Sequence, residues 1–369
     1  MPVKGFQIGN LSITVPVVQG GMAVGISLSG LASAVAAEGG VGVIAATGIG
    51  MDESDFATNP LEANRRALER EIKKAKSLTS GIIGVNVMMV ANGCFELIET
   101  SIAAGADIIF MGAGLPVKIP KPLFDDSKQR LPQFVPIVSS VKAAQFILTY
   151  WEREYGRIPD AFVVEGPLAG GHLGFKKEVL AENPPELTDI VREVIAMLKP
   201  WKMKYKREIP VIAGGGIFDG QDIKRVLNAG AKAVQMATRF VATDECDASP
   251  AFKEAYLNCA QDDIVIIESP VGMPGRAIRG PFLDEVGQEV KKPFRCNWHC
   301  IKTCDITTAP YCIAAALMQA KHGRFTDGFA FCGANTYRIN RLQSVKELME
   351  ELKRELEKYE ETWRIIHAN

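Results

Sequence analysis

The chain holds only four histidines in 369 residues. One of them stands where chemistry is easily done. The stretch Glu165-Gly-Pro-Leu-Ala-Gly-Gly-His172-Leu-Gly174 follows the apolar run Ala161-Phe-Val-Val164. A buried strand is expected to end at Glu165 and to open into a glycine-rich turn carrying His172. Parallel α/β proteins build active sites just beyond the C-terminal ends of strands. An unperturbed imidazole there titrates near pH ~6.5 and can take or give a proton near neutrality. Gly170, Gly171 and Gly174 are expected to permit positive φ and close approach to a ligand. A tight turn with a surface histidine would use similar residues, so the rest of the chain has to decide.

A second cluster suits an anion. Val211-Ile-Ala-Gly-Gly-Gly-Ile217 reads as a strand running into three glycines, and Gln221–Leu227 reads as the helix after it. Gln235-Met-Ala-Thr-Arg-Phe240 closes another strand with small residues. Barrels commonly bind phosphate between the loops after strands seven and eight, on backbone N–H groups. Gly215, Gly216, Ala237 and Thr238 occupy those places. Strand-to-helix turns that merely need glycine are the simpler alternative. Gly112-Ala-Gly114 matches a dinucleotide fingerprint only in part, without a third glycine or the required acidic residue. A mononucleotide therefore fits better than NAD.

The elements that must position these groups follow a regular order. Eight β-like runs occur at Pro16–Gln19, Val41–Ala46, Ile82–Met89, Asp107–Met111, Phe134–Val138, Ala161–Val164, Pro210–Ala213 and Ala233–Met236. Helical patterns follow several of them, near Leu28–Glu38, Pro60–Lys76, Phe95–Ala104 and Val141–Tyr155. The runs lack apolar/polar alternation, as expected of parallel strands buried on both faces. This order predicts a (β/α)8 TIM barrel, with a doubly wound open sheet as the rival. Met22, Met88, Met89 and Met111 fall at strand ends and suit either an apolar pocket or the core.

Residues 1–240 are expected to form the barrel. Residues 241–308 are rich in proline and read as an insertion or lid. Residues 309–369 return to helix, completing or packing on the barrel. Ser344 is the expected N-cap of the last helix, with Glu347 in the capping-box position. Hydrophobic residues make up 47% and the net charge is -1, so neither nucleic acid nor an anionic membrane is an expected partner. Met1–Phe6 lacks the layout of a leader peptide, no membrane-spanning run appears, and the expected compartment is the cytoplasm. A homodimer is the candidate assembly.

Eight cysteines without a leader read as reduced thiols or metal ligands. Cys296, Cys300 and Cys304 recur every four residues and would share one face of a helix, with Cys312 following. Their spacing matches neither the zinc pattern nor the ferredoxin run. A structural or lid role without metal is the expectation. A metal or iron–sulfur site, with His299 nearby, is the alternative.

The chain resembles the nitronate monooxygenase superfamily, formerly the 2-nitropropane dioxygenases, which includes FMN-dependent enoyl-ACP reductases. The resemblance covers roughly residues 5–245. It is carried by Gln19-Gly-Gly-Met-Ala23, Gly84-Val-Asn-Val-Met88, Gly112-Ala-Gly-Leu-Pro116, Ala169-Gly-Gly-His172, Ala213-Gly-Gly-Gly216 and Gln235-Met-Ala-Thr-Arg-Phe240. It implies an FMN-binding TIM barrel with catalytic His172. It also implies flavin-ring contacts at Gly21, Met22, Ala23 and Asn86, and phosphate contacts at Gly171, Gly215, Gly216 and Thr238. Ala237 departs from the glycine of many relatives, which matters only if φ there is positive. The implied activity is oxidation of an alkyl nitronate with FMN and oxygen. NAD(P)H-dependent reduction of an enoyl thioester is the runner-up, and a non-catalytic flavin-binding barrel is a third reading.

Overall fold

The computed structural model describes residues 5–125, 127, 130–296 and 298–367, with 359–367 by backbone alone. Of the opening segment read above for a leader, Met1–Lys4 lie outside the described residues. Eight parallel strands close into a barrel: β1 (Val17–Gln19), β2 (Val41–Ala45), β3 (Ile82–Met88), β4 (Ile108–Gly112), β5 (Gln133–Val138), β6 (Phe162–Glu165), β7 (Val211–Gly214) and β8 (Ala233–Met236). Every expected run became one of these strands. Closure is made by β8 pairing with β1, with Met236 opposite Gln19. The open-sheet alternative is thereby excluded.

The lack of alternation has its expected cause. Val18, Val43, Phe110, Val135, Val163 and Ile212 fill the barrel interior. Their sequence neighbours Val17, Ile44, Ile109, Phe134, Val164 and Val211 face the helices. Both sets are buried, so each strand reads as a continuous apolar run. A hairpin of Phe6–Ile8 and Leu11–Ile13 packs Phe6, Ile8 and Ile13 into the interior cluster.

Around the barrel lie α1 (Ser29–Ala37), α2 (Pro60–Leu78), α3 (Cys94–Ala103), α4 (Val141–Tyr155), α5 (Leu187–Tyr205) and α6 (Gly220–Asn228). After β4 a short 3-10 turn, Lys121–Phe124, stands where an α-helix would be expected. The last helix, α7 (Val345–His367), packs on both α6 and α1. Leu348, Met349 and Leu352 are fully buried in the same cluster as the barrel's outer face. The Ser344–Glu347 capping box is formed in both directions. The Ser344 N–H donates to Glu347 Oε2 at 2.8 Å, and the Glu347 N–H donates to Ser344 Oγ at 3.2 Å.

Between β8 and α7 the chain builds a cover over one end of the barrel. It contains β9 (Ile264–Glu268) and β10 (Pro274–Ile278), an antiparallel pair. Asp247 ties this region to the barrel by accepting the Leu28 and Leu31 N–H groups at 2.7 and 3.2 Å. No helix among the described residues is long and apolar enough to cross a membrane.

Candidate active site

The C-terminal ends of the barrel strands and the cover enclose one cavity of about 490 Å³. Gly21, Met22, Ala23, Asn86, Gly171, His172, Gly215, Gly216, Ala237 and Thr238 all line it. Of the four strand-end methionines, Met22 and Met88 line the cavity. Met89 and Met111 lie in the core instead.

The barrel side of the cavity is made of backbone. Gly215 and Gly216 have φ of 99° and 75°, which residues with a side chain rarely adopt. A Cβ at Gly215 would also lie 3.0 Å from the Ala169 nitrogen and the Gly166 oxygen. The N–H groups of Gly215, Gly216 and Ala237 have no protein acceptor among the described residues. These residues are half-buried at the cavity wall, and a set of N–H groups left without a protein acceptor there suits an anion. Ala237 has φ of -119°, so alanine is accommodated without strain and keeps its N–H. At Gly21, a Cβ would lie 2.5 Å from the Asn86 Cβ. Glycine there lets the ends of β1 and β3 approach each other. The Asn86 amide itself has no partner among the described residues.

Only Gly171 of the three glycines around His172 has positive φ, at 74°. The expectation for Gly170 and Gly174 is corrected. Gly170 serves close approach, because a Cβ there would lie 2.6 Å from the Cys332 carbonyl carbon. Gly174 is crowded by the Ser139 side chain in the same way.

His172 does not sit in a free turn. Gly171–His172 forms a third short strand on the cover's sheet, with His172 opposite Gly275 and Gly171 opposite Arg276. His172 Nε2 lies 2.8 Å from Ser269 Oγ, and its ring meets Phe331 edge-on at 5.0 Å. Enclosure by the cavity walls pushes its pKa down to about 4, so the imidazole is neutral at pH 7. Glu165, at the end of β6, lines the same cavity without a hydrogen-bond or ion-pair partner among the described residues. Burial pushes its carboxyl up to about 7.

Several cover residues of the site were not singled out in the sequence. Arg276 is buried, and its guanidinium donates to the Pro167 oxygen at 2.9 Å and to the Ala169 oxygen, fixing the glycine loop. Thr238 Oγ1 accepts the Gly333 N–H at 3.0 Å. The Asn335 amide donates to the Gly216 oxygen at 2.8 Å. Ser269, Arg276, Phe331 and Gly333 lie about a hundred residues or more beyond the groups they touch or far from the glycine motifs. No spacing signal could have linked them. Thr47 Oγ1, also on the cavity wall, is buried without a partner among the described residues.

The repeat of four among the cysteines does not fall on a helix. No helix spans residues 288–312 among the described residues, and Asn297 lies outside them. Cys312 instead precedes the helix Ile313–Lys321 as its N-cap.

The nitronate monooxygenase family model matches residues 4–355. A curated relative is a (3aS,4S,5R,7aS)-5-hydroxy-7a-methyl-1-oxo-octahydro-1H-indene-4-carboxyl-CoA dehydrogenase of Mycobacterium tuberculosis. It is 28% identical over 276 residues, which are 75% of this chain and 66% of that protein. The match thus spans just under two thirds of that relative. A probable nitronate monooxygenase of Staphylococcus aureus is 26% identical over 319 residues, covering 75% of this chain and 79% of that protein. Among solved structures, FabK from Thermotoga maritima superposes with a TM-score of 0.73 at 26% identity, covering 95% of this chain and 94% of that one. Nitroalkane oxidase from Streptomyces ansochromogenes shares the fold with a TM-score of 0.71 at 22% identity, covering 95% and 98%.

Proposed function

The chain belongs to the nitronate monooxygenase family, and on that premise we propose that it is an FMN-dependent oxidoreductase that oxidises alkyl nitronates with dioxygen. The observation that carries this reading is His172, a neutral imidazole beside Ser269 on the wall of a cavity that also holds a cradle of free N–H groups.

The residues fit an FMN. The cavity of about 490 Å³ is of the size of small-molecule sites. Gly171, Gly215, Gly216, Ala237 and Thr238 would hold the phosphate. Gly21, Met22 and Ala23 would lie along the flavin ring, with the unpaired Asn86 amide toward its polar edge. No lysine or arginine among the described residues lines the cavity, so the phosphate charge would rest on backbone N–H dipoles. The unpaired Thr47 hydroxyl is a further group that a polar ligand could satisfy.

When bound, the flavin supplies the electron-accepting chemistry. His172 has a proton-accepting nitrogen at neutral pH and would take the proton from the carbon of a neutral nitroalkane. A preformed nitronate has already lost that proton and needs His172 less. Ser269 would hold the ring in one orientation. Glu165 is half-protonated near pH 7, so it adds little fixed negative charge to the cavity.

NAD(P)H-dependent reduction of an enoyl thioester is a second reading, and one observation favours it. Met273, Trp298, Ile301, Ile313, Leu317 and Phe331 line the cover side of the cavity. That apolar surface suits an acyl chain better than a short nitronate. The carboxyl-CoA named for the mycobacterial relative is also a CoA thioester, though not an enoyl one.

FMN-loaded protein separates the two. Oxygen uptake on adding a nitronate, with little response to NAD(P)H, supports the first reading. Rapid bleaching by NAD(P)H and reoxidation by a crotonyl thioester overturns it in favour of the second. Failure to retain FMN after reconstitution removes both.

A further inference from the structure

Four of the eight cysteines fall within residues 296–312, and the fold gathers them. Cys296, Cys304 and Cys312 each act electrostatically on Cys300. Cys296 and Cys312 act on Cys304, and Cys296 acts on Cys312. Every pair of the four thiols is therefore within electrostatic reach. Cys300, Cys304 and Cys312 also share one apolar cluster with Val271, Phe282 and Tyr311.

The chain that carries them is irregular. Residues 288–312 contain no helix and no strand among the described residues, only the single bridge of Ala91 to Ile301. Stretches of this length without regular structure are uncommon inside a compact fold and are usually functional. This one is docked on the chain just after β3. The Asn92 N–H donates to the Cys300 oxygen at 2.9 Å, and the Lys302 N–H donates to the Val90 oxygen at 2.9 Å. The Thr303 hydroxyl donates to the Val271 oxygen at 3.1 Å.

One backbone donor reaches a sulfur of the group. The His299 N–H reaches Cys296 Sγ at 3.2 Å, from a left-handed backbone with φ of 48°. Hydrogen bonds of this kind tune metal-bound sulfur. Cys312 stands at the N-cap of the helix Ile313–Lys321, with no side-chain cap hydrogen bond.

We propose that Cys296, Cys300, Cys304 and Cys312 ligate an iron–sulfur cluster that clasps residues 288–312 against the chain after β3. A single ion fits less well. Among the described residues no group of three or more His, Cys, Asp or Glu is arranged to hold one metal ion. A tetrahedral zinc would need four sulfurs, each ~2.3 Å from one point. A four-thiolate cluster takes its ligands around a volume of metal and sulfide, which suits thiols that converge without meeting. The gaps of three, three and seven residues differ from the ferredoxin run. The loop's docking, rather than a short motif, sets the convergence here. Trp298, Cys300 and Ile301 also line the cavity, so the clasp would stiffen one wall of the candidate active site. The role assigned is structural.

The test is metal analysis of the full chain, expressed with iron available and purified without oxygen. About four iron and four acid-labile sulfide per chain are expected. Reduction with dithionite should give an electron paramagnetic resonance signal distinct from flavin. Cys304→Ser should bring iron and sulfide to background and speed hydrogen exchange across residues 296–304. Cys259→Ser, a buried thiol outside the group, should change neither. Flavin content and circular dichroism of the same samples report the cofactor reading and the fold separately. About one zinc per chain overturns the proposal. So does a metal-free protein whose four thiols titrate as free or disulfide-bonded.

Discussion

The two walls of the cavity are built by opposite means. The barrel wall presents backbone: the N–H groups of Gly215, Gly216 and Ala237, positioned by the ends of β7 and β8. The cover wall acts largely through side chains: Ser269 on His172, Arg276 on the glycine loop, Phe331 on the imidazole ring. A backbone wall depends on which residues can adopt its φ and tolerate its crowding. A side-chain wall depends on single functional groups that can be removed with little change in shape. Substitutions on the barrel wall should therefore cost the cofactor, and substitutions on the cover should cost turnover.

The largest effect is expected at Gly215. Gly215→Val requires a φ of 99° from a β-branched residue and drives its side chain toward Ala169 and Gly166. FMN affinity, measured by fluorescence titration, should fall by ~10²-fold or more. Unchanged affinity would break the contrast at its strongest point.

His172→Ala comes next. Turnover on a neutral nitroalkane should fall by ~10²–10⁴-fold, the usual worth of a positioned acid or base. The loss on preformed nitronate should be smaller, and flavin content should stay near parental. Loss of flavin instead would assign His172 to the backbone wall.

Ser269→Ala should lower kcat by about tenfold with little change in KM, because it touches the base rather than the substrate. The pH profile separates positioning from mere packing. If the Ser269 hydroxyl donates to Nε2, its removal raises the imidazole pKa. If Nε2–H donates to Ser269, removal lowers it. A kcat loss with an unmoved profile would make Ser269 a packing residue.

Glu165 gives a smaller effect, read in stability. Its folded pKa of about 7 lies above the ordinary value of 4.5. Between those values the folded protein keeps a proton that the unfolded chain has released. Stability therefore falls as pH rises through that window and stays lowered above it. In flavin-free protein, Glu165→Gln should raise Tm at pH 8 by about 2–4 °C and leave it nearly unchanged at pH 4.5. An equal shift at both pH values would mean that the carboxyl ionises normally.

The smallest expected effect lies far from both walls. Ser344→Ala removes the N-cap of α7 and should cost ~1 kcal/mol in denaturant unfolding, with flavin affinity unchanged.

The same division explains which parts were legible. The eight strands, their glycine-rich ends and the α7 capping box depend on residues adjacent in sequence, and each was readable. The helix α5 was not singled out, although Ile190, Val191, Val194 and Leu198 form its buried face. Pro200 within it obscures the pattern, because proline normally ends or kinks a helix. The missing α-helix after β4 likewise left no clear trace. The repeat of four among the cysteines could not say whether they share a helix face; the segment after Pro293 is irregular and docks on Val90 and Asn92.

By itself the sequence determined the barrel and its backbone cradle. Apolar runs without alternation demand burial on both faces, and consecutive glycines at strand ends free N–H groups for a ligand. Only the tertiary structure decided what faces that cradle. Ser269 lies 97 residues from His172, and the Arg276 guanidinium and the Pro167 oxygen it holds are 109 residues apart. Such pairs are set by how the cover folds back over the barrel. Local propensity acts over a few residues and carries no information about that return.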